Sequence, residues 1–393
     1  MNSRSLFSFA VLLVALLLLS TPFGAAMQQE YSPINFYELD EELLALMETN
    51  HLPSISYGVI KHDELVVNHS LGYSNKLLRI EADENTAYMI ASISKTFTST
   101  AIMQLYEQDY FDLDDDINEY LPSPLRNPNY PDTPITFRML LTHQSSLDQH
   151  DYYLFFIHSI LNRPIEKLIN SLNRSTNFWT DSKPGESVYY SSVGMEVLGY
   201  LVQCISGQSY PDYCKDHIFL PLEMYNSSFH PDDYSDSSRL AMPYCYLLGL
   251  YFPMGHFEDQ NYASGGLRST VFDLSHYLIA FMNCGVYKDV RILQNETVEE
   301  MLSLQVFPVE SNERMPGYGL GWQIFFNGHG DDQSAERVGH NGGMPGAITY
   351  MFIHVRENVG VILLSNQHTT YTREELTGWM DIIDLISELG SDL

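Results

Sequence analysis

The sequence holds 393 residues, 45% hydrophobic and 18% charged, a composition typical of a globular chain with a substantial core in one large domain or two smaller ones. Fifty acidic against twenty basic residues leave a formal charge of −30, a surface that repels nucleic-acid phosphates and anionic lipid and so argues against nucleic-acid partners. The excess acid is read as a solubilising surface.

Arg4 gives the chain a short basic start, and Leu6 to Leu19 is almost wholly apolar. Pro22, Gly24, Ala25 and Ala26 then supply a helix break and the small residues of a cleavage site. The pattern predicts a signal peptide over 1–26 and a secreted or secretory-lumen domain over 27–393. The apolar run is shorter than the roughly 20 residues of a membrane span, with a retained anchor as the alternative. No later stretch is apolar enough to span.

Glu38 to Met47 has the apolar spacing of a helix. Ser54–Ile60 and Leu65–Ser70 read as strands joined by a polar turn, Lys61-His62-Asp63. A long helix is predicted from about Ser92 to Gln108, burying Phe97, Ala101, Met103, Leu105 and Tyr106. The middle, about 111–309, reads as helical segments broken by Pro and Gly, among them Gly194–Cys204. Strands return at Gly321–Phe326, Ala347–His354 and Val359–Ser365, the last two joined by Arg356-Glu357-Asn358. Leu376–Leu389 closes the chain as an amphipathic helix. Strands at both ends with helices between predict an α/β (α+β) fold. One antiparallel sheet is built from both chain ends (about 27–110 and 310–393) and flanked by helices, with a mainly helical part (about 111–309) inserted. A cleft between the two parts is the expected place for a site.

Cys204, Cys214, Cys245 and Cys284 allow two disulfides in three pairings, or four free thiols. Sequons at Asn68, Asn173, Asn226 and Asn295 lend weak support to a glycosylated surface, since composition alone supplies about three. Asp112 to Asp116 hints at a calcium loop, but Ile117 and Ser123 stand where such a loop needs Gly and Glu; a cluster at a helix start is the better reading. No H-E-x-x-H or G-x-S-x-G motif occurs. Tyr152, Tyr153, Phe155 and Phe156 form a lid over the cleft or, more commonly for such a run, pack a core.

Three stretches carry chemistry. Ser92-Ile93-Ser94-Lys95 follows an apolar approach, Tyr88 to Ala91, at the start of the long helix. About 0.7 S-x-x-K matches arise by chance, so the context is what matters. Residues three apart share a helical face, so the Lys95 amine can reach the Ser92 hydroxyl, and the helix start favours an oxyanion beside it. A partly shielded lysine can then act as a base. The ordinary alternative is a capping serine with an exposed lysine. The second stretch is Pro184 to Ser192, a Pro-Gly turn leading to Tyr190, a candidate proton shuttle or one more packed tyrosine. The third is Gly339-His340-Asn341-Gly342-Gly343-Met344-Pro345-Gly346, placed where a strand ends, where small residues let a substrate backbone approach an edge strand.

Together these resemble the three signature motifs of the serine β-lactamase, penicillin-binding-protein (DD-peptidase) and related esterase family, in the order and spacing of its class C-like branch. Ser92-x-x-Lys95 matches the first motif, Tyr190-Ser191-Ser192 the Y-x-N motif, and His340-Asn341-Gly342 the K-T-G or H-x-G motif. Leu140 to Ser146, Ala263 to Thr270 and Gly317 to Trp322 are similar as well. The resemblance implies a β-lactamase/transpeptidase-like fold and an acyl-enzyme hydrolase of an amide, peptide or ester, with a small molecule or peptide as substrate. Ser92 is the implied nucleophile. Lys95 and Tyr190 share the proton work, which of them is the base being open. The backbone N–H groups of Ser92 and Gly343 form the implied oxyanion hole. Ser192, His340, Asn341 and Gly342 bind substrate, and no metal or cofactor is implied.

Two departures bear on this. Ser192 stands where the family usually has Asn, with a shorter side chain and one donor instead of two. His340 replaces the lysine of K-T-G and is largely neutral at pH 7, so it holds a substrate carboxylate less firmly. Both favour a peptidase, amidase or esterase over an antibiotic-hydrolysing enzyme. The first also keeps open an inactive binding protein on the same fold. His143 and Ser146 read as structural. Oligomeric state is not legible.

Overall fold

A computed structural model describes residues 36–148, 169, 172–173, 176–258, 261–307, 316–326, 335–367 and 373–393. The predicted signal segment and the aromatic run at Tyr152–Phe156 lie outside these. The chain divides into units Met1–Leu39 and Asp40–Leu393. Of the first, residues 36–39 are described, and they open a helix that runs Phe36–Thr49.

Eight strands form one antiparallel sheet in the order Gly317–Tyr318, Gln323–Phe326, Ala335–Met344, Ala347–His354, Val359–Ser365, Ser54–Lys61, Glu64–Asn75, Ile80–Glu81. The sheet therefore takes its strands from both ends of the chain, as expected. The Ser54–Lys61 strand sits between partners on both sides, with Ile55 opposite both Ser365 and Leu71. His62 and Asp63, at φ 52° and 64°, make the tight turn to its neighbour. That central strand is buried on both faces, because a helix covers each. A Cβ on Gly58 would stand 2.5 Å from Val271 of the Val271–Met282 helix, so only glycine lets that helix close down. On the other face, Val59 and Val359 approach Gly390 of the Arg373–Asp392 helix.

Two elements depart from the sequence reading. The long helix runs Ser94–Tyr106, not from Ser92. Residues Ala91–Ile93 form a separate 3-10 turn, because Ala91 takes a left-handed φ of 48° that breaks the helical path. The helix is also buried from Ser94 to Leu105 on every side, not along one stripe. Secondly, His340 to Met344 is not a turn after a strand. It is the second half of the ten-residue Ala335–Met344 strand, and the turn comes at Pro345-Gly346, with Gly346 at φ 85°.

The middle of the chain supplies the Phe137–Leu141, Ser192–Ser206, Tyr210–Cys214, Val271–Met282 and Asn295–Leu302 helices, with short hairpins at Tyr244–Pro253 and Val286–Arg291. None of the four cysteines is in a disulfide. The acidic run serves local caps: Asp115 accepts the Asp112 N–H at 2.8 Å, and Asp116 accepts from Asn118 N–H and pairs with Arg126.

Candidate active site

Ser92 sits, half-buried, in the 3-10 turn that the left-handed Ala91 creates. That turn is tied to two distant segments. The Ile90 N–H donates to Leu267 O at 3.0 Å, and Thr349 Oγ1 donates to Ile90 O at 2.9 Å. Lys95 lies in the first turn of the Ser94–Tyr106 helix and is 1% exposed. Its Nζ donates to Ser92 Oγ at 2.8 Å and to Ser264 O at 2.7 Å. The expected pair is thus within hydrogen-bond reach.

Tyr190 enters from the segment before the Ser192–Ser206 helix. The Lys95 Nζ stands 5.0 Å from its ring centroid, over the ring. The helix start is set by Ser191, whose hydroxyl accepts the Gly194 N–H at 3.0 Å. His143 fixes the segment from below. Its carbonyl accepts the Tyr189 N–H at 2.8 Å and its Nδ1 accepts the Ser191 N–H at 3.2 Å. An accepting Nδ1 places the proton on Nε2, so the ring is neutral. Burial, then the Lys95 charge, then His340 hold its pKa well below the usual histidine range. The His143 ring lies 4.7 Å from the Tyr190 ring and 5.0 Å from that of Tyr318. The residue read as structural is therefore the platform for Tyr190. Ser192 opens the helix and is buried.

His340 is 1% exposed, its ring 6.1 Å from that of Tyr190. Burial, then the Lys95 charge, lower its pKa to about 3, so it is neutral over the physiological range. Its Nδ1 lies 2.5 Å from Asn341 O. Gly342 lies against the nucleophile turn: a Cβ there would meet Ile90 O at 2.6 Å and Thr349 Oγ1 at 2.2 Å. The side without a Cβ thus faces the protein's own Ser92 turn. The neighbouring Gln323–Phe326 strand pairs only as far as Gln323↔Gly339, so His340 to Met344 has no strand partner on that side among the described residues. The Asn341 N–H points there, to Gln323 Oε1 at 3.4 Å. By strand alternation the Gly343 N–H points the same way, to the open edge.

Sequence reasoning assigned no role to Ser264 or Glu196. Glu196 is 4% exposed and its Oε1 accepts the Ser264 N–H at 2.8 Å, behind the carbonyl that holds Lys95. A signal existed: Glu196 is the only charged residue in the apolar run Val193 to Leu201, and carboxylates are seldom buried without a partner. Among the described residues no group of three His, Cys, Asp or Glu side chains is placed to hold a metal ion.

The Beta-lactamase family model matches residues 39–381. Protein flp of Staphylococcus aureus (strain MW2) is 25% identical over 329 residues, 83% of this chain and 62% of that protein. Penicillin-binding protein 4* of Bacillus subtilis (strain 168) is 26% identical over 325 residues, 77% of this chain and 66% of that one. This chain thus spans less than two thirds of the length of relatives such as flp. Among solved structures, the octameric penicillin-binding protein homologue from Pyrococcus abyssi superposes with a TM-score of 0.74 at 28% identity, over 91% of this chain and 78% of that one. D-amino acid amidase from Ochrobactrum anthropi SV3, complexed with L-phenylalanine amide, superposes with a TM-score of 0.70 at 19% identity, over 90% and 99%. That second likeness speaks to the fold.

Proposed function

Because the chain belongs to the Beta-lactamase family, we propose that it is a serine hydrolase that cleaves an amide, peptide or ester through an acyl-enzyme on Ser92. One observation carries this: the buried Lys95 amine lies 2.8 Å from the Ser92 hydroxyl, with the Tyr190 ring 5.0 Å from that amine.

In this reading Ser92 Oγ bonds to the substrate carbonyl carbon as its proton passes to the Lys95–Tyr190 pair. The carbonyl oxygen takes up the negative charge and is met by the N–H groups of Ser92 and Gly343; losing one such donor typically costs about 10²–10³ in rate. The bond to the leaving group then breaks, and the proton held by the pair goes to the departing nitrogen or oxygen. Water enters, gives a proton to the pair, and releases the acid by the reverse route. His340, Asn341, Gly342 and Ser192 line the substrate side. Because His340 is uncharged, the strand offers hydrogen bonds and no cation to a substrate. That favours peptides, amides and esters over carboxylate-bearing β-lactams. The N-terminal signal pattern adds that the enzyme acts outside the cytosol, which N-terminal sequencing of the mature protein checks. An intact Leu6–Leu19 segment there would mean an anchored form.

Labelling with a fluorophosphonate or penicillin probe tests the chemistry. Intact mass should rise by one adduct on the wild-type chain and not on Ser92→Ala. A screen of amino-acid amides, D- and L-peptides, short esters and β-lactams then names the substrate. Binding of these ligands without any adduct or turnover would instead support the inactive binding protein that Ser192 suggests.

A further inference from the structure

The candidate site leaves one buried charge without a role. Lys95 is 1% exposed and Glu196 is 4% exposed, and both bond to the backbone of Ser264. The Ser264 N–H donates to Glu196 Oε1 at 2.8 Å, and the Ser264 C=O accepts from Lys95 Nζ at 2.7 Å. These are the two peptide groups that flank the Ser264 Cα: the positive N–H end of one faces the carboxylate and the negative C=O end of the next faces the ammonium, so each favours the charged form of its own side chain. Other groups around Lys95 include the Ser92 hydroxyl from the 3-10 turn, the Tyr190 ring from the segment before the Ser192–Ser206 helix, and the rings of His143 and His340. Both histidines are neutral, and the Lys95 charge is one cause of that. Glu196 is the carboxylate whose contact leads to this centre. It also acts on the Tyr210 phenol. The loop it grips is held by other bonds as well: the Ser264 N–H also reaches Asn261 O at 3.3 Å, Thr98 Oγ1 donates to Ala263 O at 2.6 Å, and the Leu267 N–H donates to Ser94 Oγ at 3.3 Å.

We propose that Glu196 is a positioning residue that, through the backbone of Ser264, holds the Lys95 amine against Ser92 and raises its affinity for a proton. This deepens the serine-hydrolase reading and rests on it for its kinetic consequence. The effect of Glu196 passes through the backbone of Ser264. Removing its charge while keeping an acceptor separates electrostatics from geometry, since the amide oxygen of Gln can still take the Ser264 N–H.

The test compares wild type, Glu196→Gln and Glu196→Ala in the pH dependence of acylation by a short ester. In Glu196→Gln one limb of the profile should move to lower pH by about one unit, because a lost neighbouring anion destabilises the ammonium, with the plateau rate within roughly fivefold of wild type. Glu196→Ala should show the same movement and a plateau lowered more than about tenfold, because the Ser264 N–H then keeps only its longer 3.3 Å bond to Asn261 O. A merely structural residue would lower the plateau and leave the limbs in place. A Glu196→Gln profile that superposes on wild type, or that moves to higher pH, overturns the proposal. A second readout needs no turnover. In a Ser92→Cys background, iodoacetamide alkylation of that thiol, followed by peptide mass against pH, should shift to lower pH when Glu196→Gln is added. If wild type neither labels nor turns over and this shift is seen, the hydrolase reading fails and the positioning role stands; if the shift is absent, the positioning role fails.

Discussion

Two helices show how differently this chain uses burial. The Arg373–Asp392 helix covers one face of the sheet with a stripe, Trp379, Ile382, Ile383 and Ile386, at the i, i+3, i+4, i+7 spacing of an amphipathic helix. The Ser94–Tyr106 helix is buried all round, yet much of its surface is hydroxyl. Thr98 meets Tyr210 Oη at 2.7 Å, Ser99 donates to Leu320 O, and Thr100 meets Tyr277 Oη at 2.9 Å. The first helix is held by area, which has no direction. The second is held by bonds to named atoms of distant segments, which fix its rotation and axial position, and it is the helix that carries Lys95. Hydrophobic burial suffices for stability; placing an amine within 2.8 Å of a hydroxyl takes directional contacts.

Breaking the area-based helix should have the largest effect on stability. Ile382→Ala, at a fully buried position, should lower unfolding free energy by about 2–5 kcal/mol in urea titrations while probe labelling of Ser92 at 10 °C is unchanged. Equal losses of stability and labelling would show that the two helices are not separate in function.

The next effect is on pH dependence. His340 has its pKa lowered to about 3, against an ordinary value near 6.5 in the unfolded chain. Between those values the unfolded chain binds a proton that the folded chain refuses, so stability from this group is complete above about pH 6.5 and is lost as pH falls toward 3. Urea midpoints should therefore fall between pH 7 and pH 4, and His340→Gln should flatten that fall. His354, lowered to about 4 by burial, leaves a residual slope. An unchanged slope in His340→Gln would mean that the ring is hydrated in solution.

The smallest effect separates direction from area. Thr98→Val keeps the volume and removes the bonds to Tyr210 and Ala263 O, leaving a buried carbonyl with one acceptor site unmet. It should cost about 1–3 kcal/mol in urea, and in addition slow probe labelling of Ser92 several-fold. Labelling at the wild-type rate would show that this bond stabilises the helix without positioning it.

Particular residues show where the sequence was legible. The Lys61–Asp63 turn was readable because two strand patterns flank it at hairpin distance. The amphipathic C-terminal helix was readable because its stripe repeats for several turns. The two-residue pairing of Tyr88–Met89 with Arg268–Ser269, which anchors the approach to Ser92, was not, because two residues carry no period. The helix start was misplaced by two residues because nothing in Ala91 announces a left-handed φ; a tertiary clamp on Ile90 accompanies it.

By itself the sequence determined which side chains meet locally: Lys95 three residues beyond Ser92, Tyr190 just before a capped helix, and two strand-rich ends able to share one sheet. Those follow from periodicity, which acts over a few residues. Only the tertiary structure decided that Ser264, 169 positions from Lys95, offers it a carbonyl, that Glu196 takes the N–H of the same residue, and that His143 carries Tyr190. Such contacts depend on how the chain crosses itself, and no local spacing encodes the distance between segments that only folding brings together.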